Sequence, residues 1–113
     1  MTEHEMDRLV AEKVMGWEPF YQDDVIVSWI TERGELFFST DETSEWNPSA
    51  DIQDAWLVNE KFFRVHIETG NGANEHCVTI RDKVGWMVSY AYAKTVPEAI
   101  CLAALKAKGV EVK

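Results

Sequence analysis

Halfway along the chain, Trp46-Asn47-Pro48-Ser49-Ala50-Asp51-Ile52-Gln53-Asp54-Ala55-Trp56 reads as a heavily punctuated helix start. Asn47 or Ser49 suits the capping position, where a side-chain oxygen accepts a free backbone N–H. Pro48 suits a first helical position, because its missing N–H would have no partner there. Asp51 and Asp54 place negative charge near the positive end of the helix. A tryptophan on either side supplies a bulky packing anchor. A helix in this place divides the chain into two strand-rich parts. It is expected from about Pro48 or Ala50 to Lys61 or Phe62, with Ile52, Ala55, Trp56, Asn59 and Phe62 or Phe63 facing inward.

Two further helices carry similar punctuation. Thr2 and Glu5 form a capping-box pair ahead of Met6, Leu9, Val10 and Val14 at helical spacing. Gly16 fits the left-handed position that ends this helix, and Trp17 is expected to fold back on its apolar stripe. Thr95 and Glu98 repeat the capping pair, with Pro97 in the first turn and Gly109 at the end. The small residues of this last helix permit a close approach to a sheet.

Between the helices lie β-branched and aromatic runs. Val25–Thr31, Glu35–Ser39, Arg64–Glu68, His76–Arg81 and Trp86–Tyr92 read as strands, and Pro19–Asp24 as a connector. Asp41–Glu45 and Gly70–Asn74 read as loops. The order is α-β-β-α-β-β-β-α. Three amphipathic helices need faces to cover, so the expected fold is α+β: a three-layer α/β/α sandwich around a five-stranded, mostly antiparallel sheet. The competing arrangement is a two-layer sandwich with all helices on one face. No linker, repeat or low-complexity segment divides the 113 residues, and one domain over 1–113 is expected.

Charge narrows the function classes. Residues 1–60 hold 15 Asp/Glu against 3 Lys/Arg, whereas residues 61–113 hold 5 against 8. An acidic chain is repelled by phosphate backbones, so duplex nucleic acid is a disfavoured partner. The acidic half suits a basic protein surface, or simply a solvated face. The mildly basic half suits a small anion. No apolar run reaches the length of a membrane span, and the polar start lacks the features of a signal peptide. Cys77 and Cys101, in apolar surroundings, read as reduced and buried thiols.

Candidate chemistry is sparse. His66 or Ile67 is expected opposite His76 or Cys77, but the spacing matches no zinc pattern, and no metal or other cofactor is expected. The carboxylate pairs Asp23-Asp24 and Asp41-Glu42 lack the apolar surroundings that raise a catalytic pKa. The helix start offers a second reading besides capping: Trp46 as a stacking face, with Asn47 and Ser49 beside free N–H groups, could hold a nucleotide or other small anion. Arg64, Arg81 and Lys83 are the cations that would line such a ligand site. Phe20, Tyr21, Phe37, Phe38, Tyr90 and Tyr92 are core if both sheet faces are covered. They mark a dimer or partner surface if one edge is bare.

Three segments together resemble one family: Asp7–Trp17, Trp46–Trp56 and Pro97–Leu105 are similar, in order, to the opening helix, middle motif and closing helix of the phage ABA sandwich domain family. The resemblance implies an α/β/α sandwich, a phage or prophage origin, and the host bacterial cytoplasm as the working compartment. It carries no reaction and no catalytic residues. The expected function is that of a non-enzymatic protein-interaction module, binding a host or phage protein, with homodimerisation as a further option. The alternatives are a binder that sequesters a nucleotide signal and a hydrolase with an unrecognised site.

Overall fold

The computed structural model describes residues 2–39, 44–69 and 75–110. The first helix, α1 (Glu3–Leu9), begins as its sequence requires: Thr2 accepts the Glu5 N–H at 3.1 Å. It continues as a wider π-helical segment, Val10–Met15, whose Val10, Ala11 and Val14 are buried. Gly16 closes it at φ 71°, a left-handed conformation that a side chain resists. Trp17 folds back and meets Trp46 edge-on, ring centroids 4.5 Å apart.

Among the described residues six strands follow, not five, and they form two separate sheets. The first sheet holds β1 (Glu18–Gln22), β2 (Val25–Thr31) and β3 (Gly34–Phe37), all antiparallel. The second holds β4 (Arg64–Thr69), β5 (His76–Arg81) and β6 (Met87–Ala93), also antiparallel. The expected connector at Pro19–Asp24 is in fact β1 and a two-residue turn. Asp23 and Asp24 both take positive φ, 52° and 65°, which is the backbone of a type I′ hairpin. Asparagine and glycine usually signal that turn, so two aspartates conceal it.

Helix α2 (Ile52–Asn59) starts later than its sequence suggests. Asp51 is the cap, accepting the Gln53 N–H at 2.8 Å. Asn47–Ala50 instead form a tight turn in which Asp51 N donates to the Asn47 carbonyl at 2.7 Å. The helix is also rotated from the expected stripe. Ala55 and Val58 are buried, while Ile52 and Trp56 are 47% and 55% exposed. Moving the cap to Asp51 lets the turn, rather than the helix, carry the packing of Trp46.

Helix α3 (Val96–Ala107) is capped by Thr95, as expected, and buries Ala99, Ile100, Cys101, Ala103, Ala104 and Leu105. It lies on β5 and β6, and α1 and α2 pack against it. The first sheet joins this core through side chains. Trp29 and Phe38 are buried and meet edge-on, and Phe38 stacks on His4 at 4.4 Å. The fold is thus an α+β sandwich of three helices and two three-stranded sheets, in place of one five-stranded sheet. Among the described residues no helix is long and apolar enough to cross a membrane. The expected carboxylate pair Asp41-Glu42 and the loop at 70–74 lie outside the described residues.

Candidate functional site

Trp46, Asn47 and Ser49 are committed to the chain itself. Trp46 is fully buried, and its indole Nε1 donates to the Asp7 carbonyl at 3.0 Å. Ser49 N donates to Asp7 Oδ1 at 2.8 Å, and Asn47 N donates to Asp54 Oδ2 at 2.8 Å. The N–H groups that could have cradled an anion are therefore held by Asp7, Asp51 and Asp54. Burial raises the Asp7 carboxyl from 3.8 to about 6, against the lowering effect of its bond from Ser49. Asp54 is also raised, again first by burial, with Asp51 adding repulsion. This junction ties the first helix to the middle of the chain.

Arg64 and Arg81 stand elsewhere, directly opposite each other on β4 and β5. Their position follows from the alternation of the second sheet. Val65, Ile67, Val78, Ile80, Ser89, Ala91 and Ala93 point toward α3, and Ser89 Oγ donates to the Ala103 carbonyl at 2.7 Å. The small residues of β6 bring α3 close. Their neighbours must then point the other way, onto a face that no described element covers. A register shift after Ile80 sets Arg81 against Met87 and keeps Met87, Tyr90 and Tyr92 on that face.

The outer face is a grid of three cross-strand rows. Arg64, Arg81 and Met87 form one end. His66, Thr79 and Tyr90 form the middle, and Glu68, Cys77 and Tyr92 the other end. Together they line an open trough of about 600 Å³. Arg81 Nη1 is steadied by the Gly85 carbonyl at 2.9 Å. Tyr90 and Tyr92 meet edge-on at 6.0 Å, and Lys106 reaches round the sheet edge to lie 5.7 Å from the Tyr90 ring. His66 Nε2 lies 3.4 Å from Glu68 Oε1, an ion pair when the imidazole is protonated. The Tyr92 phenol is pushed above its ordinary value, first by the adjacent Cys77 thiol.

Of the six residues expected at a ligand site, the structure joins Arg64 and Arg81. Lys83 stands in the exposed turn after β5, and Trp46, Asn47 and Ser49 belong to the helix junction. The expected register of the histidines also shifts: His66 faces Thr79, and Cys77 faces Glu68. Among the described residues no group of three or more His, Cys, Asp or Glu is placed to hold a metal ion. Sequence reasoning named Tyr90 and Tyr92 as partner-surface candidates but missed Met87 and Thr79 beside them. The available signal was in β6, where Ser89, Ala91 and Ala93 alternate with large aromatics. Small residues inward leave the large ones outward once a helix packs on the sheet.

Comparison with known proteins agrees with the fold. A family model described as the phage ABA sandwich domain matches residues 8–105. A 2.0 Å crystal structure of a phage protein from Bacillus cereus ATCC 14579 superposes with a TM-score of 0.74 at 24% identity, covering 100% of this chain and 93% of that one. No curated protein matches.

Proposed function

The chain belongs to the phage ABA sandwich domain family, and from that premise we propose that it is a non-enzymatic protein-interaction module working in the cytoplasm of a phage host. One observation carries this reading: the outer face of the second sheet is bare and rich in the residues that anchor interfaces. Tyr90, Tyr92 and Met87 are 47%, 59% and 54% exposed on one continuous face, next to two arginines. Tyrosine, methionine and arginine are enriched at interfaces: each offers a large contact area, and tyrosine and arginine add hydrogen-bond donors. A shallow face of this kind suits another protein more than a small molecule, which needs to be largely enclosed. On this reading the partner supplies the covering layer that completes the α/β/α order around the second sheet.

The test is capture of partners from lysate of infected host cells by tagged wild-type protein, by Tyr90→Ala/Tyr92→Ala, and by the first-sheet variant Phe37→Asp. Loss confined to the tyrosine variant, with its circular dichroism unchanged, supports the reading. Equal capture by all three proteins removes it. A second reading rests on the rung of Arg64 and Arg81 beside Tyr90, which could take the phosphate and base of a nucleotide signal. A thermal-shift screen with cyclic and linear nucleotides that gives no stabilisation counts against it.

A further inference from the structure

Away from the open sheet face, a cavity of about 290 Å³ lies between the first sheet and α2. Its apolar wall comes from Met15 at the end of the π-helical segment, Trp17, Leu36 on β3 and Leu57 on α2. The ring of charge around it is uneven: Glu32, Glu45, Asp54 and Glu60 face Arg33 and Lys61. None of the six takes part in a described salt bridge. Glu32 is held below its ordinary value, first by its own backbone N–H and further by the fields of Lys61 and Arg33. Four carboxylates against two cations leave a surplus of two negative charges around the cavity. Besides Glu32, the carboxylates of this ring are Glu45, Asp54 and Glu60.

Those three are not equivalent. Glu45 Oε1 accepts the Phe37 N–H at 2.8 Å, and Asp54 Oδ2 accepts the Asn47 N–H at 2.8 Å. Both are fixed in place by the backbone they hold. Glu60, at the end of α2, makes no described side-chain hydrogen bond and is free to turn toward a ligand. A cleft with low-dielectric walls and a surplus of one sign concentrates the field and attracts the opposite charge. This cleft also lies in the half of the chain with 15 acidic against 3 basic side chains. Trp17 adds an aromatic surface of the kind that attracts cations.

We propose that this cavity binds a small organic cation, an ammonium or guanidinium carried on an aromatic or short aliphatic body. The body lies against Trp17, Leu36 and Leu57, and the charge is directed to Glu60 and Asp54. Phosphorylated and carboxylated molecules are excluded by the same field. This site is independent of the sheet face proposed above as a protein interface, so either can fail without the other.

The experiment titrates the protein with tryptamine and, separately, with indole-3-propionate, which carries an indole body with the opposite charge. Binding is read by calorimetry and by the shift of the Trp17 indole N–H resonance. Tryptamine is expected to bind at least tenfold more tightly, and Glu60→Gln is expected to weaken it at least fivefold. Glu60 is exposed, so this variant should fold normally. Leu57→Trp, which fills the cavity, is expected to abolish binding, whereas Tyr90→Ala on the other surface should leave it unchanged. Absence of tryptamine binding, equal binding of the carboxylate, or indifference to Glu60→Gln would each overturn the proposal. So would tighter binding of a Leu-Lys-Leu peptide than of tryptamine, because that would place the cation on a protein partner.

Discussion

Replacing Asp7 with asparagine should stabilise the protein at neutral pH, although Asp7 sits at the junction that joins three parts of the chain. The carboxyl is 4% exposed and its pKa rises from 3.8 to about 6. Because the folded value lies above the unfolded one, the folded chain binds the extra proton between those limits. Stability from this group is therefore complete below about pH 3.8 and is lost as pH rises through about 6. The difference corresponds to about 3 kcal/mol at neutral pH. Asparagine keeps an oxygen for the Ser49 N–H and removes the buried charge. Its Nδ2 can use Ser49 Oγ, a buried hydroxyl with no hydrogen bond of good geometry.

The assay is urea unfolding of wild type and Asp7→Asn from pH 3 to pH 8, followed by tryptophan fluorescence. Other carboxylates titrate in the same range, so the difference between the two proteins is the informative quantity. It should be near zero below pH 4 and reach about 2–3 kcal/mol in favour of the variant above pH 7. At a typical urea dependence of about 1–3 kcal/mol/M, the midpoint moves by roughly 0.7–3 M. A difference that stays flat with pH would refute the reasoning. A variant less stable than wild type at pH 8 by more than about 1 kcal/mol would do so as well, showing that the charge-assisted bond outweighs desolvation.

The two tryptophans of the middle motif should respond very differently. Trp46→Phe loses volume in the core and the indole hydrogen bond to the Asp7 carbonyl, costing about 1–3 kcal/mol in chemical denaturation, whereas Trp56→Ala, at a 55% exposed position, should cost under about 1 kcal/mol. In the β1–β2 turn, Asp23→Asn with Asp24→Gly should raise stability by about 0.5–1 kcal/mol, since both positions have positive φ. No gain in thermal midpoint would count against the turn assignment.

The helices were legible because their ends carry local chemistry. Thr2, Gly16 and Thr95 each act through atoms within a few residues, and each does what its neighbours suggest. Asp51 displaced Asn47 and Ser49 as a cap for a long-range reason: Asp7, 42 positions away, claims the Ser49 N–H. Nothing near Ser49 in the sequence announces that partner. The division into two sheets was equally hidden. Strand patterns specify which residues alternate, but not which strands meet, and a turn of two aspartates hid β1 altogether. At the candidate surface, Arg64 and Arg81 were visible as the cations of a basic half. Their neighbours Tyr90 and Met87 depended on the register of β6 and on which face α3 would cover.

Each sheet is drawn from one unbroken run of chain, residues 18–37 and 64–93, and no described strand of one pairs with a strand of the other. The consequence is kinetic. Every β-ladder closes a short loop, so both sheets can assemble with little entropic penalty before the ends of the chain meet. What requires distant segments is the docking of the N-terminal helix, through Asp7, onto the Trp46 turn and α3. That step belongs late on the folding route. Loss of packing at the junction, as in Trp46→Phe, should then quicken unfolding while leaving the refolding arm of the chevron unmoved.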